Sequence, residues 1–249
     1  MLNDATLAAL EKFVAQGGIL IADGELARYD GEGKLRGEEG AALSGARIKG
    51  NAINQKVYNY MSLKWEGFDA DNAYGYQPSP SWMFEVEPLD GSVPVAKIPV
   101  PLQGCYSARP GEPTICTGVR HRIGKGEVCY VAGGLFEYYH GFQIAAIRRW
   151  FKAVMDTRPQ DYVLVNGQTG LSVTVRSTED GNAIVHITNH IGAIRPLDGV
   201  PSIDGALLKA PECWKSAEVL MGQGDAIAEK PGLFKLPPLG DVTILVLKK

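Results

Sequence analysis

The sequence predicts an α/β domain followed by an all-β sandwich, and three stretches carry that prediction. "LAALEKFVAQGGILIADGE" (residues 7–25) reads as a helix feeding a short apolar strand. "GVRHRIGKGEVCYVAGG" (Gly118–Gly134) reads as strand, tight turn, strand, with an amphipathic helix after it. Beyond "DTRPQD" (Asp156–Asp161) no helical pattern is visible, and short apolar runs recur with turn signals between them, as in an antiparallel sandwich.

In chain order, Asp4 is placed to cap the first helix. Leu7, Leu10, Phe13 and Val14 follow at helical spacing and form one apolar face. Gly17 and Gly18 end the helix, because glycine enters a left-handed C-terminal turn without strain. "ILIA" (Ile19–Ala22) is a continuous apolar run, which predicts a strand covered on both faces, as in a parallel sheet. Residues 23–40 are polar and glycine-rich and predict a long loop or hairpin, while residues 51–82 mix aromatics with Asn, Gly and Pro and take no assignment. "WMFEVEP" (Trp82–Pro88) and "VPVAKIPV" (Val93–Val100) alternate like strands. After the Gly118–Gly134 hairpin, "FQIAAIRRWFKAVM" (Phe142–Met155) predicts a helix with Ile144, Ile147, Phe151, Val154 and Met155 on one side. The strand candidates of the tail are "YVLV", "LSVTVRS", "AIVHITNH", "GALLKA", "SAEVLM", "LFKLP" and "DVTILVLKK". The change of character near residue 158 divides the chain into an α/β domain (1–157) and a β-sandwich (158–249).

The 249 residues suffice for one large domain or two ordinary ones. With 45% hydrophobic and 21% charged residues, the composition is that of a folded globular protein and argues against disorder. The formal net charge is −3 with no basic block, so the pattern offers no nucleic-acid footprint. No apolar run has the length of a membrane span, and no basic region followed by an apolar core marks a secretory leader. The cysteines (Cys105, Cys116, Cys129, Cys213) lack C-x-x-C spacing, which argues against a zinc ribbon. A Cys105–Cys116 pair across a hairpin is one arrangement; free thiols in a reducing, cytoplasmic compartment are the preferred one.

"FVAQGGILIA", the "YDGEG" turn, "IGKGEVCYVAGG" before an amphipathic helix, and a β-rich tail carrying "AIVHITNH" occur in that order. The series resembles the C-terminal half of glycoside hydrolases related to the family 42 β-galactosidases. There a catalytic TIM barrel precedes a glutamine-amidotransferase-like trimerisation domain, and a small β-sandwich follows. The resemblance implies a truncated amidotransferase-like, flavodoxin-like sheet that lacks its first βα units, and a chain that starts about midway through that domain without the barrel. Such a half sheet has an exposed edge. Either residues 40–118 supply replacement strands or another chain covers it.

In the family the catalytic pair is two glutamates on barrel strands, so the resemblance carries no catalytic residue over to this sequence, and it implies no cofactor. Other carboxylates remain. Asp23 and Glu25 follow the first strand, at the carboxyl end where open α/β sheets bind ligands, or simply start a solvated loop. Glu66, Asp69 and Asp71 lie among aromatics that include Trp65 and Trp82, and a pyranose needs both a stacking face and polar partners. The competing reading is a loop packed by its own aromatics. "EYYH" places Glu137 and His140 between strand and helix, as ligand groups or as structural or interface residues. The turn after "ILIA" holds Asp23-Gly24 and no cysteine, and Cys129 lies inside a strand pattern, which argues against a thiol nucleophile. His186 and His190 share a strand face but suggest no third metal ligand. Lys125 in "GKG" is a turn residue, because the P-loop spacing is missing.

By resemblance, then, the expected role is a non-catalytic assembly part of a glycoside hydrolase. It would act as a homo-oligomer or beside a larger barrel subunit, and help to complete a partner's sugar site. Two alternatives are a carbohydrate-binding subunit using the aromatic loop, and a small hydrolase using Asp23, Glu25 or Glu137. Membrane and nucleic-acid partners are not expected.

Overall fold

The first helix, α1 (Asp4–Ala15), is capped by Asn3 and not by Asp4: Asn3 is extended, and its Oδ1 accepts the Thr6 N–H at 2.8 Å. Asp4 falls in the first turn, where its charge suits the positive helix end, and it pairs with Arg36 at 2.6 Å. Leu7 and Val14 are buried, whereas Phe13 is exposed and lies over Gly18. The strand β1 (Ile19–Asp23) buries only Ala22, so it is not covered on both faces as its apolar run suggests.

The structure is a computed structural model that describes residues 1–54, 60–68, 76–99, 111–158, 160–167, 170–191 and 199–249. The chain is mostly β and divides into two compact units, Met1–Arg158 and Pro159–Lys249. In the first unit β1 is followed by α2 (Glu38–Ser44), β2 (Ala46–Asn54), β3 (Tyr60–Leu63), β4 (Tyr76–Pro78), β5 (Trp82–Pro88) and β6 (Val93–Pro99). Then come β7 (Pro113–Ile123), β8 (Gly126–Val131), α3 (Leu135–Phe142) and α4 (Ala145–Met155).

Six strands form one sheet in the order β1-β8-β7-β6-β3-β4, and β2 with β5 forms an antiparallel ribbon. Among the described strands only β1 and β8 pair in parallel; every other neighbour in the sheet is antiparallel. The expected parallel sheet is therefore reduced to one pair; β7, β6, β3 and β4 extend it on the β8 side, and β1 stays at the edge. The β7–β8 turn shows the cause: a tight turn forces its two strands antiparallel, since a parallel partner needs a long crossover. That turn also packs on the end of α1, with Lys125 N–H donating to Ala15 O at 3.0 Å. Gly126 is required there, because a Cβ would lie 2.1 Å from Val14 O.

Strand β8 is buried along its whole length and serves two cores. Cys129 and Val131 join Met61, Leu63, Ile147 and Trp150, the side that α4 covers. Val128 and Tyr130 join Leu7, Val14, Phe84 and Val86, the side that α1 and the ribbon cover. The predicted helix 142–155 begins at Ala145. Trp150 is its largest buried side chain, and Met155 is exposed.

The second unit contains β9 (Val163–Val165), β10 (Leu171–Ser177), β11 (Ala183–Asn189), β12 (Leu207–Lys209), β13 (Ser216–Met221), β14 (Ile227–Lys230), β15 (Leu233–Lys235) and β16 (Val242–Lys248). They form two four-stranded antiparallel sheets, β10-β11-β16-β13 and β14-β15-β12-β9. One buried cluster draws Val185, Ile187, Leu245 and Leu247 from the first sheet, and Leu208 and Phe234 from the second. In β11 and β16 every second residue is buried, the period of a strand with one core face. Strand β14 escapes sequence reading because all four of its residues are exposed and show no apolar rhythm.

Candidate functional site

The carboxyl ends of β1 and β8 are tied together. Gly24 N–H donates to Gly133 O at 2.9 Å, and the buried Tyr130 hydroxyl donates to Gly24 O at 2.7 Å. Strand β5 meets the end of β8 through a Met83–Gly133 bridge, which lays the half-buried Trp82 ring against Gly134. A Cβ at Gly134 would fall 3.0 Å from that indole, so any larger residue would require the ring to give by a few tenths of an ångström.

Asp23 points across this end at α3. Its Oδ2 accepts the Phe136 N–H at 2.7 Å, and the Leu135 N–H also bonds the carboxylate. The local N-cap position, Gly134, has no side chain to offer, so Asp23 caps α3 from the neighbouring strand. Burial is the main influence on Asp23 and raises its pKa above the ordinary value; the two N–H bonds oppose this, and Glu137 adds to it. With a raised pKa in the folded state, Asp23 contributes most to stability below its ordinary value of 3.8, and that contribution is lost as pH rises through the folded pKa. Asp23→Asn keeps an acceptor for α3 and removes the titration. It is expected to gain stability relative to wild type between pH 3.5 and 7, and Asp23→Ala to lose about 1 kcal/mol with the cap. Urea unfolding at both pH values checks this; a relative loss for Asp23→Asn on raising the pH would refute it.

Around this end, Glu25 pairs with Arg28, whose guanidinium stacks on Phe84 at 5.1 Å and Tyr29 at 5.5 Å. Glu137 and His140 both lie in α3, exposed, rather than in a strand-to-helix loop. Thus Asp23, Glu25, Trp82 and Glu137 share one end of the sheet, with Asp23 already engaged as a cap.

The aromatic stretch divides differently from its sequence reading. Trp65 is only 8% exposed, under the Arg120 guanidinium at 4.7 Å and edge-on to Trp150 at 6.2 Å. It is a core residue and not an open stacking face. Trp65 belongs to the core on the α4 side, and Trp82 packs against the core on the opposite side of the sheet, so the two do not form one platform. Glu66 is 85% exposed, 4.0 Å from Arg120. Asp69 and Asp71 lie outside the described residues, as does Cys105.

Cys116, Cys129 and Cys213 carry free thiols. Burial pushes the Cys129 thiol far above its usual range, which leaves no thiolate to act as nucleophile. His190 shares a hydrogen bond of 3.0 Å with Ser172. Among the described residues no group of three His, Cys, Asp or Glu side chains is placed to hold a metal, and no described helix is long and apolar enough to cross a membrane.

The residue that sequence reading missed is Glu127, buried on β8. Its Oε2 accepts from Arg120 Nε at 2.7 Å, and its Oε1 accepts from the Thr157 hydroxyl at 3.1 Å. The signal was present in the hairpin register: Arg122 faces Glu127, which puts Arg120 two residues along on the same face.

The architecture is one shared with regions of large glycoside hydrolases. A family 42 β-galactosidase from G. stearothermophilus matches 100% of this chain with 30% of its own length, at 14% identity and a TM-score of 0.58. A β-galactosidase from Bacillus circulans sp. alkalophilus matches 100% of this chain with 32% of its own, at 16% identity and a TM-score of 0.59. A cold-adapted β-galactosidase from Rahnella sp. R3 matches 99% with 31%, at 16% identity and a TM-score of 0.51. The chain thus spans about a third of the length of these structures, and what it shares with them is the fold. No protein-family model matches the sequence, and no curated protein matches it.

Proposed function

We propose that this chain is a non-catalytic assembly part of a glycoside hydrolase of the β-galactosidase type, which holds subunits together and helps to complete a partner's sugar site. On this reading the first unit is a reduced amidotransferase-like trimerisation domain and the second a β-sandwich. The whole-chain likeness to one region of larger β-galactosidases supports it.

The observation that carries the reading is the edge at β1. It ends the six-stranded sheet, with β8 on one side and no described strand on the other. Ile19, Leu20 and Ile21 are half-buried there. An apolar strand with an unpaired row of N–H and C=O groups is an aggregation hazard unless a partner covers it, and a partner strand satisfies both the backbone and the side chains.

The test is the native mass of the protein purified from its own host, with amide exchange measured in the assembly and after dilution. The expected result is a mass above that of a single chain, from a larger polypeptide or from copies of this one, with amides of residues 19–23 exchanging more slowly in the assembly. A strict monomer at micromolar concentration would overturn the assembly role.

A further inference from the structure

We propose that the first unit holds a binding site for a small oxyanion, a carboxylate or phosphate group, in a cleft between the Arg28–Arg36 hairpin and α2. The cleft has a volume of about 220 Å³ and is lined by Arg28, Arg36, Arg47, Ser44 and Tyr130 among others. This is below the roughly 300–1,000 Å³ of sites for drug-sized ligands, and it suits a molecule of about one sugar ring or smaller.

Three guanidinium groups on one small cleft stand out in a chain of net charge −3. The arrangement is built. Residues 28–36 form a tight hairpin: Arg36 N–H donates to Arg28 O at 2.8 Å, Asp30 N–H to Lys34 O at 2.9 Å, and Tyr29 bridges Leu35. The Asp30 carboxylate braces the turn by accepting Glu32 N–H at 2.9 Å and Lys34 N–H at 2.8 Å. Arg28 and Arg36 therefore stand opposite each other on a braced frame. Arg28 is further held by its stacking on Phe84 and Tyr29 and by Glu25.

Arg36 supplies the second, independent sign of a ligand. Its side chain is 7% exposed, and its Nη2 donates to Leu2 O at 2.7 Å and pairs with Asp4. Its Nε is buried with no hydrogen-bond partner. A buried guanidinium N–H without an acceptor is costly, and an oxyanion that enters the cleft and displaces the groups packed over Nε would satisfy it. Arginine forks match the paired oxygens of carboxylate and phosphate, which lysine does not reproduce. The site does not rest on the assembly reading; it requires only this chain.

Isothermal titration of the full chain with inorganic phosphate, galacturonate and, as a neutral control, galactose tests it, with ionic strength held constant by chloride. Saturable binding of phosphate, galacturonate or both is expected, with none of galactose; which anion binds separates a phosphate from a sugar-acid ligand. Arg28→Lys, which keeps the charge but loses the fork, and the exposed Arg47→Met are each expected to weaken that binding at least tenfold while the ligand-free protein keeps its fold by circular dichroism. No saturable binding of either anion at millimolar concentration would overturn the proposal. So would galactose binding as tightly as galacturonate, or binding unchanged in Arg47→Met.

Discussion

Replacing Trp150 with alanine is expected to destabilise the first unit by about 3–5 kcal/mol, the range for deleting a large buried aromatic. The side chain is fully buried in the core between α4 and the sheet. It stands edge-on to Trp65 at 6.2 Å and contacts Phe151 at 5.5 Å. Its Nε1–H donates to Lys64 O at 3.2 Å, so it fixes α4 to the chain just after β3. Alanine removes the ring, leaves a cavity under Trp65 and orphans the Lys64 carbonyl, and these losses act together. Trp150→Phe separates them: it keeps much of the ring and loses the hydrogen bond, at an expected cost of about 1–2 kcal/mol. With two units in the chain, a global melting curve need not be two-state, so amide exchange of α4 is the appropriate measurement. A cost below about 1.5 kcal/mol for Trp150→Ala would mean that α4 is held by something other than this side chain.

Glu127→Ala is expected to cost about 3 kcal/mol, through the partner it abandons rather than the contact it loses. Glu127 is 6% exposed and Arg120 20%, joined at 2.6 Å. Without Glu127, the guanidinium over Trp65 keeps, among the described residues, the exposed Glu66 at 4.0 Å as its carboxylate partner, while the Thr157 hydroxyl still has Val154 O at 2.8 Å. Removing both charges leaves no uncompensated ion, so Glu127→Ala combined with Arg120→Leu should be more stable than Glu127→Ala alone. The exposed pair Lys49–Glu85, at 3.3 Å across the ribbon, is the contrast: breaking it should cost less than about 1 kcal/mol. A double-mutant cycle by urea unfolding compares the two. Equal costs for both pairs would show that burial does not govern the Arg120–Glu127 interaction.

Much of the local structure was legible because it depends on neighbours in sequence. The β7–β8 hairpin, the strands at Trp82–Pro88 and Val93–Pro99, and α1 ending before its two glycines all follow from apolar rhythm and turn residues. Where those signals misled, a partner distant in sequence had intervened. "ILIA" has the composition of a central strand, yet it lies at an edge, because strand order is a property of the sheet and not of the strand. Trp65 and Trp82 looked alike in the sequence and entered cores on opposite sides.

The same division holds for the candidate sites. The sequence by itself located the carboxyl end of β1 as a place of interest, through Asp23 and Glu25 after an apolar run. Only the tertiary structure decided that Asp23 serves as the cap of α3, because the Phe136 N–H it satisfies lies 113 positions along the chain. Likewise the sequence placed Arg28, Arg36 and Arg47 within one glycine-rich and polar stretch and its sequel, where arginines ordinarily read as solvated charge. Folding the hairpin over α2 gathered them around one cleft and buried the Arg36 side chain. Short-range order follows from backbone sterics and the periodicity of burial; charge placement and edge strands follow from which distant segments pack together.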